Sequence, residues 1–256
     1  MNNNLVIIPT YNERENIEDI VRAIFLLSTK FDILIIDDNS PDGTAEIVKN
    51  LQNEYAGHLH IIERLGKLGL GTAYIEGFKY ALKHQYDYIF EMDADFSHNP
   101  LDLLELLKSC SKEDVQLSIG SRYKTGVNVV NWPMGRVLMS YLASKYVRFI
   151  TGLPVYDATA GFICYHRSVL ETIELDKIKF IGYAFQIEMK FTAWKHGFGI
   201  EEVPIIFTDR SKGVSKMSKK IFKEAIFGVI QMKIKSWFKK YKQANVFTNT
   251  QNATAQ

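Results

Sequence analysis

Four short apolar runs, at residues 5–9, 31–36, 58–63 and 86–91, each lead into a stretch of polar residues and then a helix-like segment. The first is followed by Ile17, Ile20, Val21, Ile24 and Phe25, which share one helical face. The second runs through Pro41-Asp42-Gly43-Thr44 into a helix over Ile47, Val48 and Leu51, with Thr44 or Asp42 placed to cap it. The third leads to a helix over residues 71–83. Alternation this regular predicts an α/β fold: a mostly parallel sheet with helices on both faces. Ligands of such a sheet sit beyond the carboxyl ends of its strands. The second half is less regular, with helices expected at 101–109, 137–150 and 186–196 and strands at 115–120, 162–166 and 200–207.

The strand ends carry the chemistry. Glu91-Met92-Asp93-Ala94-Asp95 closes the fourth run, so two carboxylates stand at one strand mouth. Two neighbouring anions are costly to bury without a cation, and a hard ion such as Mg²⁺ or Mn²⁺ takes carboxylate and phosphate oxygens. The motif therefore points to a metal–diphosphate site. Pro9-Thr10-Tyr11-Asn12-Glu13 follows the first strand. An aromatic ring and an acid there suit a nucleoside, although a plain strand-to-helix connection would read the same. Asp37-Asp38-Asn39-Ser40 closes the second strand with a pair of acids that capping alone explains poorly.

Gly66-Lys67-Leu68-Gly69-Leu70-Gly71 lacks the glycine order of a dinucleotide fold, which disfavours a nicotinamide dehydrogenase. It reads as a loop closing over a diphosphate with Lys67 as a charge partner, or as a simple glycine-rich turn. Arg122 ends another strand, and Arg136 lies one turn before Ser140 on a helix. Arginine binds phosphate oxygens bidentately, yet either residue alone also suits a surface ion pair. Glu188, early in its helix, fits a sugar contact or a dipole-favoured acid equally well. His84, His98 and His196 show no metal-ligand spacing, and no nucleophilic triad stands out.

Charge is unevenly spread. Residues 212–242 hold ten lysines and one acid, a net +9 against +2 for the whole chain, which leaves −7 for the rest. A basic segment on a mildly acidic body predicts an anionic partner. No run there reaches the roughly 20 apolar residues of a membrane span. On a helical projection Ile226, Ile230, Ile234, Trp237 and Tyr241 share a stripe opposite Lys235, Lys239 and Lys242. That pattern suits an anionic membrane surface or a helix packed on the domain with solvated lysines. Cys110 and Cys164 are expected as buried thiols rather than a disulfide. The opening Met1-Asn2-Asn3-Asn4 has no signal-peptide character, so a cytosolic N-terminus is expected.

Together these pieces resemble the dolichyl-phosphate mannosyltransferase (polyprenol monophosphomannose synthase) family of inverting family 2 glycosyltransferases. The motifs above carry the resemblance, joined by Phe96-Ser97-His98-Asn99-Pro100, Gly120-Ser121-Arg122-Tyr123, Asp157-Ala158-Thr159-Ala160-Gly161-Phe162 and Gly182-Tyr183-Ala184-Phe185-Gln186-Ile187-Glu188; coverage is about residues 5–220. The resemblance implies a GT-A fold, a Rossmann-like sheet binding a nucleotide sugar and a divalent cation. It implies Pro9, Tyr11, Glu13, Asp38, Lys67 and Asp93 on the nucleotide, and Asp93, Asp95 and Ser97 around Mg²⁺ or Mn²⁺. Arg122, Arg136, Ser140 and Arg210 would meet the acceptor phosphate or the diphosphate, Lys216 would belong to a basic loop closing over the acceptor phosphate, and Asp95 and Arg122 would be the catalytic pair. Phe96 stands where an aliphatic residue is usual, and Ser97 where some relatives have Gln.

The activity so implied is transfer of mannose from GDP-mannose to dolichyl or polyprenyl phosphate at the cytoplasmic face of a membrane. The membrane surface would be met peripherally through the basic helix, and nucleic acid is not an expected partner. The domain plan is 1–210 catalytic, 211–244 basic loop and helix, and 245–256 a disordered tail. Two rivals remain: a related transferase using UDP-glucose or another sugar, since Glu13 and Asp38 suit uracil as well as guanine, and a non-catalytic nucleotide-sugar binding module docked on a membrane.

Overall fold

The computed structural model describes residues 3–209 and 219–243. Arg210, Lys216, the rest of the basic loop and the C-terminal tail lie outside these described residues.

The apolar runs form strands β1 (Asn4–Thr10), β2 (Asp32–Asp37), β3 (Leu59–Glu63) and β4 (Tyr88–Glu91). Between them stand helices α1 (Ile17–Phe25), α2 (Thr44–Glu54) and α3 (Leu70–Lys83). Then come α4 (Asp102–Cys110), β5 (Leu117–Ser121), a two-residue β6 (Val129–Val130), α5 (Met134–Thr151) and β7 (Ile163–His166). The chain continues through α6 (Arg167–Thr172), α7 (Tyr183–Lys195), β8 (Ile200–Pro204), a two-residue β9 (Phe207–Thr208) and α8 (Lys219–Phe238).

Seven strands make one sheet in the order β3-β2-β1-β4-β7-β5-β8, parallel except for β7. Both faces are covered, which is why β1 and β2 are apolar at successive positions rather than alternate ones. Val6, Ile8, Ile33 and Ile35 feed one core with residues of α1, α2 and α4. Leu5, Ile7, Leu34 and Ile36 feed the other with α3 and α7. This is the predicted fold class. Strand order turns back between β1 and β4, the switch point at which open α/β sheets leave a crevice.

One expectation of the sheet changes. The single strand expected at 200–207 is two, because the chain leaves the sheet after Pro204 and Phe207–Thr208 pairs with Val129–Val130 instead. Of the stripe read on the C-terminal helix, Ile226 is half-buried, Ile230, Ile234 and Trp237 are exposed, and Tyr241 lies past the helix end, its ring against His196; the side chains of Val229 and Ser236 are buried on this helix. Cys110 and Cys164 are buried free thiols.

Candidate active site

The carboxyl ends of β1, β2, β4 and β5 open on one edge of the sheet, and the predicted residues gather there in two groups. The first lies beyond β1 and β2. Asp37 holds the turn itself: its carboxylate accepts from Thr10 Oγ1 at 2.7 Å and from Ser40 N at 2.8 Å and Oγ at 2.6 Å. The N-cap of α2 is Gly43, with no side-chain cap, so neither Thr44 nor Asp42 takes the expected place; Asp42 instead accepts from Thr44 N at 3.0 Å in the turn before the helix. Asp38 is buried and accepts from Arg64 Nε at 2.6 Å, and Arg64 Nη1 donates to Thr72 Oγ1 on α3 at 2.7 Å. Pro9, Tyr11 and Glu13 are half-buried beside this pair, with Lys67 Nζ 4.8 Å from the centre of the Tyr11 ring. Arg64 belongs to no motif of the sequence, although it follows the end of β3 on this same edge.

The glycines of the Lys67 loop have a packing role. Gly71 N donates to Ile181 O at 2.8 Å, and a Cβ at Gly71 would meet Phe180 O and the Phe185 ring at 2.8 Å. Gly69 has φ +103°, a conformation that side chains disfavour. The loop thus lies against the aromatic turn before α7. Glu188 braces that turn, accepting from Lys179 N at 2.9 Å and Phe180 N at 3.0 Å.

The second group surrounds a cavity of about 510 Å³. Asp93, Asp95, Ser97, Arg122, Arg136 and Ser140 all line it. Phe96 turns the chain with φ +58°, and Asp95 Oδ1 accepts from Ser97 N at 3.1 Å. Arg122 and Asp157 form a buried bidentate pair, Nε to Oδ2 and Nη2 to Oδ1, both at 2.7 Å. Arg136 Nη1 donates to Asp209 at 2.8 Å, and its guanidinium lies 4.0 Å from the centre of the Trp132 ring. The β6–β9 pairing delivers Trp132 and Phe207 to the cavity; neither carries a signal in the sequence.

Apolar side chains complete the lining: Leu70, Met139, Leu142 and Val147 with Ile226 and Val229 of α8. Five buried polar atoms of lining residues have no partner among the described residues: Tyr74 Oη, Ser97 Oγ, His98 Nδ1, Trp132 Nε1 and Gln186 Oε1. Such atoms are rare in folded proteins and each needs a cause, of which a bound ligand is one. Burial lowers the His98 imidazole to about 4, so it stands neutral in the wall, its ring stacked on Phe162. Burial also raises Glu91, beneath the cavity, to about 7, opposed by its hydrogen bond from Gln186 and the charge of Lys190.

The residues present fit a hard divalent cation. Two cavity carboxylates and the unpartnered Ser97 hydroxyl offer oxygen donors alone, as Mg²⁺ or Mn²⁺ prefers. Among the described residues no three His, Cys, Asp or Glu gather as a complete metal cage. The remaining positions of an octahedral ion would fall to phosphate oxygens and water.

Comparison with known proteins agrees with this geometry. Residues 5–174 match the model of the glycosyl transferase family 2. The chain is 44% identical over 231 residues to polyprenol monophosphomannose synthase of Mycolicibacterium smegmatis, covering 90% of this chain and 87% of that one. It is 42% identical over 225 residues to undecaprenyl-phosphate mannosyltransferase of Micrococcus luteus, covering 88% and 91%. Among solved structures, glucosyl-3-phosphoglycerate synthase of Mycobacterium tuberculosis, with Mn²⁺, UDP-glucose and glycerol 3-phosphate, superposes with TM-score 0.63 at 18% identity, over 92% and 80% of the two chains. A mannosyltransferase of Pyrobaculum calidifontis in complex with GDP-mannose and Mn²⁺ gives TM-score 0.54 at 14% identity, over 91% and 73%. The last two likenesses speak for the fold.

Proposed function

This chain belongs to the glycosyl transferase family 2, and on that premise we propose that it moves mannose from GDP-mannose to a polyprenyl (dolichyl) phosphate, yielding the β-linked lipid phosphomannose and GDP. The observation that carries this reading is the mixed lining of one cavity, where the carboxylates of Asp93 and Asp95 and the arginines Arg122 and Arg136 meet aliphatic side chains of α5 and α8. A phosphate on a long hydrocarbon needs both kinds of lining together. The relatives' names supply the mannose and the lipid phosphate.

Pro9, Tyr11, Glu13, Asp38 and Lys67 take the guanosine and its diphosphate, with Arg64 holding Asp38 in place. Asp93, Asp95 and Ser97 hold Mg²⁺ or Mn²⁺, which when bound offsets the charge that develops on the departing GDP. Arg122, Arg136 and Ser140 face the acceptor phosphate, and Arg210 and Lys216 join them on the strength of the family resemblance. The acceptor is already an anion, so it attacks the anomeric carbon directly with inversion and needs no strong general base. The arginines offset its repulsion from the diphosphate and fix its approach.

The same reading places the enzyme against the cytoplasmic face of a membrane. No helix among the described residues is long and apolar enough to cross one. Met134, Leu138 and Leu142 of α5 and Phe227, Trp237 and Phe238 of α8 are instead exposed, beside Lys145, Lys235 and Lys239. Apolar side chains among lysines suit an anionic lipid surface, which the acceptor's hydrocarbon already occupies.

Nucleotide titration tests the donor assignment. With Mn²⁺ present, GDP is expected to bind at least tenfold more tightly than UDP, and chelation of the metal is expected to weaken both. Tighter binding of UDP would overturn the GDP-mannose assignment.

A further inference from the structure

Residues 152–162 between α5 and β7 form an irregular segment that is buried at Val155, Asp157, Ala158 and Ala160. Irregular chain normally stays at the surface, because its backbone groups need partners. Here the partners are charged. Glu202, on β8, accepts from Tyr156 N and Asp157 N, both at 2.8 Å. Lys190, fully buried on α7, donates to Ala158 O at 3.2 Å and Ala160 O at 2.6 Å. The segment is gripped at its amides from one side and at its carbonyls from the other.

What it holds out is the Asp157 carboxylate. That group accepts from Arg122 Nε, Nη2 and backbone N, at 2.7, 2.7 and 3.0 Å. Thr159 Oγ1 takes a further bond from Arg122 Nη2 at 2.9 Å. Four charged residues, Arg122, Asp157, Lys190 and Glu202, are thereby buried in one place. Stability alone gives little reason for this, since well-packed apolar residues often serve a fold as well as or better than buried ion pairs. Fixed direction is what such a network supplies: Arg122 cannot swing while Asp157 grips it in the plane of its guanidinium.

Building on the function proposed above, we propose that Asp157 is the positioning residue of Arg122, with Thr159 as its helper and Glu202 and Lys190 as braces of the segment that carries it. Asp157 never touches substrate. It sets the angle at which Arg122 meets the acceptor phosphate, and misplacement of such a group by about 1 Å can cost on the order of a hundredfold in rate.

The test compares Asp157→Asn, which keeps the shape and loses the charge, with the milder Thr159→Val, each alone and combined with Arg122→Lys. Asp157→Asn is expected to lower kcat/KM for polyprenyl phosphate about 10- to 100-fold, and Thr159→Val about threefold, with the Kd for GDP unchanged. Each loss should largely vanish when Arg122 is already lysine. A folded Asp157→Asn enzyme with acceptor kcat/KM within twofold of wild type, or losses that add fully to Arg122→Lys, would overturn the proposal. Should Asp157→Asn not fold, Thr159→Val decides by the same criteria. Should the wild-type protein use no polyprenyl phosphate, the functional reading fails and the positioning claim is decided by nitrogen-15 NMR. The Arg122 Nε–H signal is expected to resist solvent exchange in wild type and to lose protection in Thr159→Val and Asp157→Asn; unchanged protection in both would sink it.

Discussion

Arg136 is already engaged before any acceptor arrives, because its Nη1 donates to Asp209 at 2.8 Å in a half-exposed ion pair. Exposed pairs of this kind contribute up to about 1 kcal/mol. On the proposed function the acceptor phosphate must displace Asp209, so Asp209→Asn is expected to lower the KM for polyprenyl phosphate about two- to fivefold. Steady-state titration of the lipid checks this, and a raised KM would make Asp209 part of the receptor instead. Asp157 behaves differently, being fully buried. Burial alone would raise its carboxyl, but the Arg122 guanidinium outweighs that and holds it below its usual value of 3.8. A lowered folded value contributes stability that is full above the unfolded value and is lost as pH falls through the folded one. Asp157→Asn should therefore melt below wild type at pH 7, by about 3 kcal/mol, with the gap narrowing below about pH 4. Thermal melts from pH 7 to pH 3 read this directly; a constant gap would mean that Asp157 is not charged in the native state. Asp93 and Asp95 could be read from sequence because two acids at one strand end form a local pattern. Arg122–Asp157 and Arg64–Asp38 join residues 35 and 26 positions apart, and such pairings leave no mark in any short window.

At the scale of elements, what the sequence made legible was whatever had a period. Strands β1 to β4 and helix α3 fall within two residues of expectation, and α1 and α2 contain the apolar faces expected of them, because doubly covered strands and one-faced helices repeat their apolar residues. The two-residue strands β6 and β9 are too short for any period, yet their pairing brings Trp132 and Phe207 to the cavity and Asp209 to Arg136. Close approach is likewise invisible from sequence alone. Gly77, on α3, is where that helix crosses β1: a Cβ there would meet Ile7 Cγ2 at 2.7 Å and Cδ1 at 2.8 Å. Gly77→Ala should thus be destabilising despite alanine's better helix propensity, by about 1–3 kcal/mol from overpacking. Urea unfolding measures this as a lower midpoint at constant slope. A raised midpoint would show that Ile7 yields without cost.

For the molecule as a whole, the question is how a protein with no spanning helix among its described residues reaches a lipid substrate. The exposed apolar residues of α5 and α8 also continue the cavity's apolar lining, since Leu142 is both exposed and lining. A lipid phosphate could then pass from the bilayer into the site without its hydrocarbon crossing water. Leu142→Asp combined with Trp237→Asp should abolish flotation with vesicles containing anionic lipid while leaving GDP affinity intact. Flotation of wild type should also weaken with salt, as the lysines beside the patch require. Unchanged flotation of the double variant would remove this face from the account.

Product analysis reads the transfer itself. Purified protein, polyprenyl phosphate, Mn²⁺ and GDP-mannose labelled in the sugar should yield organic-extractable mannose in β linkage to the lipid phosphate. The yield should be lost with Asp95→Ala, which removes one of the two carboxylates at the cation site. Label appearing in the lipid only from a UDP-sugar, or in no lipid from any nucleotide sugar, would contradict the account.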